Sequence, residues 1–600
     1  MSFADDYGIN VLAGERLLID IARAASLLHR DCFATLQCYL DQPDGKVMLL
    51  SGLRRTGKTY LARQGIASLP ESLFREAVFV KLPYSESGIP RNGASRLFDD
   101  LFDAGYRNFF IDECTSIREF PAWAKKMADD FADIGCRVVL LGTDSLSMGL
   151  AECDALEGRY EEIRTTRIPF HEWKRLLEYA KKTELSVRDY FRYGGILDFG
   201  GISAKTALLP KGASSFRDPE SIDRYLYSAV ALNLQNTVAR NMSPKFASLH
   251  KLWKDGRLIE AVMRVVHDQN HSLAGDDLAE RFKHSDFQEA YAGLKQYGKE
   301  IRRIIGKKEE EILGKIEDSL CISHGRLKLN KEDRETVKRY LRRIDVFADA
   351  EIRVMPSADP RERKGQKSYL ETSRTMQTQP GIRTGQMKLA CDVMWKVLEP
   401  NVSFSKADFE NASTSMVEGQ MLEDVTFADL MDALPEGCEI FKLEWSADIR
   451  DADKRGEFDA AVLDRRDPSD PKVSLFEVKR ERDSHGSETK HMKKRLVIAQ
   501  IAEAFGRVAS RTVVYNGETK RRAVLFVNAG EFLGSIGRDP ESALFPQESA
   551  KWRPECPLEP WMAEASVHGR PQGRAGDAQA SNLQVPAPEE TEEEGSGMRP

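Results

Sequence analysis

The sequence predicts an α/β protein with two separate sheet-bearing units, a helical stretch between them and an unstructured tail. Three observations carry this. Between residues 45 and 170 short apolar runs alternate with amphipathic segments, the pattern of βα units around a parallel sheet. The octapeptide Gly52-Leu53-Arg54-Arg55-Thr56-Gly57-Lys58-Thr59 directly follows the apolar run Val47-Met48-Leu49-Leu50 and matches G-x-x-x-x-G-K-[ST], a pattern that acquires meaning in a strand-loop-helix context. Between about 414 and 528, helix and strand signals fall in the order αβββαβ.

Residues 1–44 read as N-terminal helices, because Leu17, Leu18, Ile21, Ala24, Ala25 and Leu28 recur at helical spacing on one stripe. Residues 45–171 read as the first α/β unit. Gly52 and Gly57 let the backbone wrap close enough to aim N–H groups at phosphate oxygens, and the helix opening at Lys58 offers its positive end. Arg55 and Thr56 complete the loop. Lys58 is expected to reach the terminal phosphates and the Thr59 hydroxyl to ligate Mg2+, so ATP with Mg2+ is the expected ligand.

About fifty residues on, Asn108-Phe109-Phe110-Ile111-Asp112-Glu113 supplies an acidic Walker B strand, with Asp112 placed to hold Mg2+ through water and Glu113 to orient the attacking water. Glu after Asp favours water as nucleophile over a small-molecule acceptor. A third apolar run, Val138-Val139-Leu140-Leu141, ends in Gly142-Thr143-Asp144, which makes Thr143 a candidate polar sensor; a turn-forming Thr-Asp pair explains it equally well. Arg159, in Glu157-Gly158-Arg159-Tyr160 ahead of a strand at Ile163–Ile168, is a candidate arginine finger, with an ordinary surface arginine as the alternative.

Residues 172–400 are rich in helix formers with few β-branched runs, and read as a helical lid followed by a longer helical region. Within it Glu332–Phe347, with Val337, Tyr340, Leu341 and Ile344 at helical spacing, is expected to close a winged-helix module, and Asp359–Lys367 reads as a flexible basic loop.

Residues 401–545 carry a second constellation. A helix at about 414–433 precedes strands near 439–445, 457–464 and 473–479, then a helix at about 487–507 and strands near 511–515 and 522–528, the last two expected to form a hairpin closed at Asn516-Gly517 or slightly beyond. Asp459 and the pair Glu477-x-Lys479 fall on consecutive strands, the layout of a PD-(D/E)xK nuclease core. Two carboxylates there bind a hard divalent cation while the lysine positions water and offsets phosphate charge. Glu423 shares a face with Met416, Phe427 and Leu430 on the preceding helix, an unusual place for an acid unless it turns toward that metal site. Arg480, Arg482, Lys490, Lys493, Lys494 and Arg495 follow, either as phosphate-backbone contacts or as a solvated basic face. Residues 546–600 are expected to be disordered, being rich in Gly, Pro, Ala and Glu without apolar periodicity.

The string Leu50–Thr59, then Ile111-Asp112-Glu113, Leu141-Gly142-Thr143, Gly158-Arg159, Ile168-Pro169-Phe170-His171-Glu172-Trp173 and Tyr193-Gly194-Gly195, resembles the prokaryotic AAA-like ATPases that carry a C-terminal restriction-endonuclease-like domain. The resemblance implies an additional-strand P-loop fold with the catalytic Glu on the Walker B strand. It extends to Gly419–Val425, which is similar to the family helix that donates the first acid, and is loose over 205–400. Where the family usually has Gly-Ser-Ser, this chain has Gly142-Thr143-Asp144.

Composition bounds these expectations. Lys plus Arg is 88 and Asp plus Glu 95, a net charge of −7 that shows no global nucleic-acid footprint. Nine cysteines are scattered without C-x-x-C or Cys/His ligand spacing, against structural zinc and against a disulfide framework. No apolar stretch approaches a membrane span and the start is acidic, so the chain reads as cytoplasmic. The expected function is Mg2+-dependent ATP hydrolysis coupled to a nuclease-like domain acting on DNA. The alternative is an ATP-dependent switch whose nuclease-like domain binds nucleic acid or a protein without cutting. A second copy, or another protein docked on the middle region, is a further candidate partner.

Overall fold

The computed structural model describes residues 3–83, 88–143, 148, 155–165, 167–181, 184–197, 225–240, 247–266, 329–355, 369–446, 455–479, 492, 495–520 and 524–546. Six strands build the first sheet: β1 (Asn10–Ala13), β2 (Val47–Ser51), β3 (Ala77–Lys81), β4 (Asn108–Asp112), β5 (Arg137–Leu141) and β6 (Tyr160–Arg164), in the spatial order β1-β3-β4-β5-β2-β6. All neighbours run parallel except β1, which pairs antiparallel with β3. The N-terminal segment is therefore not helical throughout: Asn10–Ala13 extends the sheet before the helices Gly14–Ala25 and Phe33–Asp41 begin. On the first of these helices Leu17, Ile21 and Ala24 are buried as the stripe predicts, whereas Leu18 is exposed.

Both faces of this sheet are covered, as a parallel sheet requires. Met48, Leu50, Phe110 and Val139 pack toward the N-terminal helices and the helix Lys58–Ser68. The alternate residues Val47, Leu49, Phe109, Ile111, Val138 and Leu140 pack against Phe98, Phe120 and Trp123 on the other side. Because β5 is inserted between β2 and β4, the loop after β2, the acids ending β4 and the Thr143 that follows β5 emerge at one edge of the sheet, at the carboxyl ends of its strands.

The second sheet has seven strands in the order β13-β12-β11-β10-β9-β7-β8. These are β7 (Phe347–Met355), β8 (Leu370–Gln377), β9 (Cys438–Ser446), β10 (Arg455–Asp464), β11 (Lys472–Lys479), β12 (Arg507–Tyr515) and β13 (Leu525–Asn528). Two expectations are corrected here. The region before residue 400 is not all helical: after the helix Lys331–Arg343, β7 pairs parallel with β9 and antiparallel with β8, so these strands belong to the C-terminal sheet and are not the free wing of a winged-helix module. The β12–β13 pair is parallel and not a hairpin; Asn516-Gly517 reverses the chain, Lys520 bridges antiparallel to Phe526, and β13 then runs alongside β12.

The long helix Lys406–Asp432 covers one face of this sheet, burying Met421, Leu422, Val425, Phe427 and Leu430 against Ala460, Val462, Phe476 and Val478. It opens on a capping box, Ser405 with Asp408, which fixes a start earlier than apolar periodicity indicates. The helix Arg495–Phe505 covers the other face through Val497, Ile501 and Phe505. The basic residues 480–494, Asp144, Asp359–Lys367 and the tail after 546 lie outside the described residues. No helix among the described residues is long and apolar enough to cross a membrane.

Candidate nucleotide site and C-terminal charged cluster

The loop after β2 takes its shape from two glycines and their neighbours. Gly52 has φ +137°, and a Cβ there would lie 2.4 Å from both the carbonyl and the hydroxyl oxygen of Thr165, so no side chain fits. Gly57, at φ +92°, opens the helix Lys58–Ser68. Thr56 Oγ1 donates to Leu53 O at 2.8 Å and meets Thr165 Oγ1 at 2.7 Å, which binds the loop crown to the segment leaving β6. From the N-terminal region Arg30 donates to Thr56 O at 2.7 Å, while its Nε and Nη2 fork onto Glu172 at 2.8 Å each, a buried bidentate pair. Arg55 takes φ +70°, and its carbonyl accepts from Leu197 N at 2.7 Å.

Lys58 is 7% exposed and folds back on the loop, donating to Gly52 O at 2.9 Å and Leu53 O at 2.7 Å. Burial pushes its pKa down to about 8, against the pull of Glu113 and Asp112. Thr59 Oγ1 donates to Asp112 Oδ2 at 2.9 Å. The Asp112 carboxyl is held above its ordinary value, first by burial and then by Glu113 beside it. A hydroxyl and a desolvated carboxylate side by side suit Mg2+, which keeps waters and phosphate oxygens as its remaining ligands.

Glu113 follows β4 in the left-handed region, φ 55°, a conformation uncommon for a residue with a side chain. Its N–H donates to Asp112 Oδ1 at 3.1 Å and its Oε2 accepts from the Thr143 hydroxyl at 2.8 Å. The Thr143 carbonyl in turn accepts from buried Asn233 at 3.1 Å. Gly52, Arg55, Thr56, Gly57, Lys58, Thr59, Asp112, Glu113 and Thr143 are thus brought together.

Arg159 is not. Tyr160 stands opposite Val47 at the start of β2, whereas Arg164 stands opposite Ser51 at its end, so Arg159 lies about 16 Å along the strands from the loop of its own chain. It pairs there with Asp129.

Residues 44–174 match the family model described as an AAA domain. This part of the chain is an AAA-like P-loop domain, and the match spans the loop, both acids, Thr143 and Arg159. No curated protein matches the chain.

The C-terminal residues also gather, in a different manner. Asp459 is buried in β10 at a bulge: Leu443 pairs with Phe458 and Phe441 with Ala461, so Asp459 and Ala460 together face Lys442 of β9. Its Oδ2 accepts from Val478 N at 2.6 Å on β11. Glu477 is buried and paired with Lys479 Nζ at 2.5 Å. Glu423 accepts from Gln420 Nε2 at 3.1 Å, and its neighbour Asp424 pairs with buried Arg383 at 2.8 Å. Burial, then Glu423 and Glu477, push the Asp459 carboxyl well above its ordinary value, with Lys479 and Lys442 opposing. Among the described residues no three acidic, histidine or cysteine side chains come together as a set able to hold a metal ion. The expected ligand set of Glu423, Asp459 and Glu477 shares one electrostatic cluster, but its acids are turned to the chain's own donors.

Arg30, Thr165, Glu172, Arg167 and Lys442 had no assigned role from the sequence. Glu172 stands inside the string Ile168–Trp173, the one available signal; the strand Cys438–Ser446, with Glu439, Lys442 and Glu444 interleaved among apolar residues, reads as an ordinary half-solvated strand. Arg167 is buried where the first unit meets the second, donating at 2.5 Å to Asp429 and at 2.5 Å to Asp432 of the long helix and at 3.0 Å to the Tyr190 hydroxyl. Its N–H donates to Asp345 at 2.6 Å.

Proposed function

We propose that the chain binds and hydrolyses ATP with Mg2+ at residues 52–59 and passes its nucleotide state to a nuclease-like C-terminal unit that engages DNA. The observation that carries the first half is the hydrogen-bonded series Thr59, Asp112, Glu113, Thr143 at the ends of three neighbouring strands. On binding, Lys58 exchanges the Gly52 and Leu53 carbonyls for phosphate oxygens, and the loop N–H groups follow. Thr59 and Asp112 would hold Mg2+, which neutralises phosphate charge. Glu113, oriented by Thr143, aligns water for attack on the γ-phosphate.

Support for coupling lies in three residues of chain. Thr165 bonds the loop crown through Thr56, and Arg167, two positions on, holds Asp429 and Asp432. A shift of the crown on phosphate binding would bear on the same helix that carries Glu423 and Asp424.

A second reading, binding without cutting, is favoured for the C-terminal unit by the Lys479–Glu477 pair and by the lack of a three-ligand set among the described residues. Phosphate release and nucleotide binding by the purified chain test the ATPase; absence of both overturns it. Metal-dependent products from single-stranded, duplex or branched DNA that vanish in Asp459→Ala would establish cutting. Binding that weakens steeply with salt, without products, would establish nucleic acid as a bound partner.

A further inference from the structure

Arg30 reaches the nucleotide loop from the segment before the helix Phe33–Asp41. Its Nη1 donates to Thr56 O at 2.7 Å, while Nε and Nη2 donate to the two Glu172 oxygens at 2.8 Å each. The acid end is fixed: Glu172 also accepts from Asp31 N at 2.8 Å and stands on the helix Phe170–Lys181, whose Phe170, Trp173, Leu176 and Leu177 are buried in one core with Val462, Phe476 and Phe532. The loop end is fixed too, because Thr56 Oγ1 bonds Leu53 O and Thr165 Oγ1, and Arg30 Cδ lies 3.4 Å from where a Cβ on Gly57 would stand. A planar trans peptide sets its C=O and N–H in opposite directions, so a guanidinium that holds Thr56 O on one side turns the Gly57 N–H to the other. As a device for stability alone the buried pair is a poor one, since desolvating two charges offsets most of their attraction. For direction it is a good one: with two bonds on Glu172, the planar fork leaves its third donor a single line to Thr56 O.

We propose that Arg30 is a positioning residue of the nucleotide loop: braced by Glu172, it holds the Thr56–Gly57 peptide in the orientation that offers the Gly57 N–H to a phosphate common to ATP and ADP. The inference rests on nucleotide binding at residues 52–59 and names the group that prepares the loop for it. Backbone N–H groups of such a loop cradle the α- and β-phosphates. Gly57, at φ +92°, has the conformational freedom of a residue without a side chain, so the peptide before it needs an outside hold. Turned over, that peptide would present the Thr56 carbonyl, an acceptor, to an anion. The Glu113–Thr143 contact does not involve Arg30, so the effect falls on binding and not on the alignment of water.

The test is calorimetric titration of the full-length protein with Mg-ADP and with a non-hydrolysable Mg-ATP analogue, beside steady-state phosphate release and melting temperature, in wild type, Arg30→Lys and the double variant Arg30→Met/Glu172→Gln. Arg30→Lys keeps a cation against Glu172 but replaces the fork with a point charge, and the double variant removes both charges so that neither is left buried alone. We expect each variant to lose about tenfold in affinity for ADP and for the ATP analogue by the same factor, with KM for ATP rising in step and kcat changing by less than about threefold. Variants that bind both nucleotides as wild type does would overturn the proposal, including variants that only melt lower and yield less active protein, the mark of a purely structural pair. A loss confined to the ATP analogue would overturn it too, placing Arg30 on the γ-phosphate. If the double variant does not fold, Arg30→Lys decides by the same criteria. A wild-type protein that binds neither nucleotide overturns the nucleotide-site reading itself, an outcome distinct from wild-type binding that the variants share.

Discussion

The Thr143 hydroxyl donates to Glu113 Oε2 at 2.8 Å, so the end of β5 holds the carboxylate that follows β4. The insertion of β5 between the loop strand and the acidic strand thereby lets the residue after the inserted strand hold the carboxylate for which we propose the water-aligning role.

Thr143→Val should lower kcat by about tenfold or more with little change in KM, and Thr143→Ser should restore most of it. Glu113→Gln should retain ATP but slow its hydrolysis by about 10^2- to 10^4-fold. Steady-state phosphate release with parallel nucleotide binding checks both. Wild-type kcat in Thr143→Val would leave that threonine a turn residue.

Lys58→Ala should lose ATP binding. Wild-type affinity should also fall as pH rises above about 8, because burial has lowered the Lys58 pKa to about 8 and the phosphates require its charged form. The sign follows from the shift: a lysine depressed in the free protein is already charged at pH 7, is largely neutral by pH 9, and must take up a proton to bind. Calorimetry in buffers of different ionisation enthalpy should detect that uptake at pH 9 and little of it at pH 7.

Arg159→Ala should leave turnover of the dilute protein unchanged, since Arg159 pairs with Asp129 at the far end of the strands from its own loop. A loss of about 10^3-fold without weakened ATP binding, seen only at concentrations where copies associate, would instead identify a finger acting on a neighbour's nucleotide.

Arg167→Met should destabilise the chain by about 3–5 kcal/mol, because it strands buried Asp429 and leaves Asp432 unpaired. Denaturant unfolding measures this. If Arg167 also couples the two units, the milder Asp432→Asn should fold, hydrolyse ATP, and lose any effect of ATP on DNA binding.

The AAA-like part was legible because its chemistry is local in sequence. Gly52, Gly57, Lys58 and Thr59 occupy consecutive positions of one loop, and the apolar runs ending at Asp112 and Thr143 announce their own strands, so pattern alone named the residues that converge. The sequence also determined the αβββαβ succession and its acids Asp459 and Glu477. Only the tertiary structure decided what those acids meet. Strand alternation does not say that β7 and β8 join the C-terminal sheet, that β12 and β13 run parallel, or that a bulge sets Asp459 across from Lys442 with its carboxylate on Val478 N, because pairing partner and register are fixed by contacts distant along the chain. Arg159 makes the same point from the other side: its motif position suggested a finger, and the direction of β6 carried it to the opposite end of the sheet from the loop.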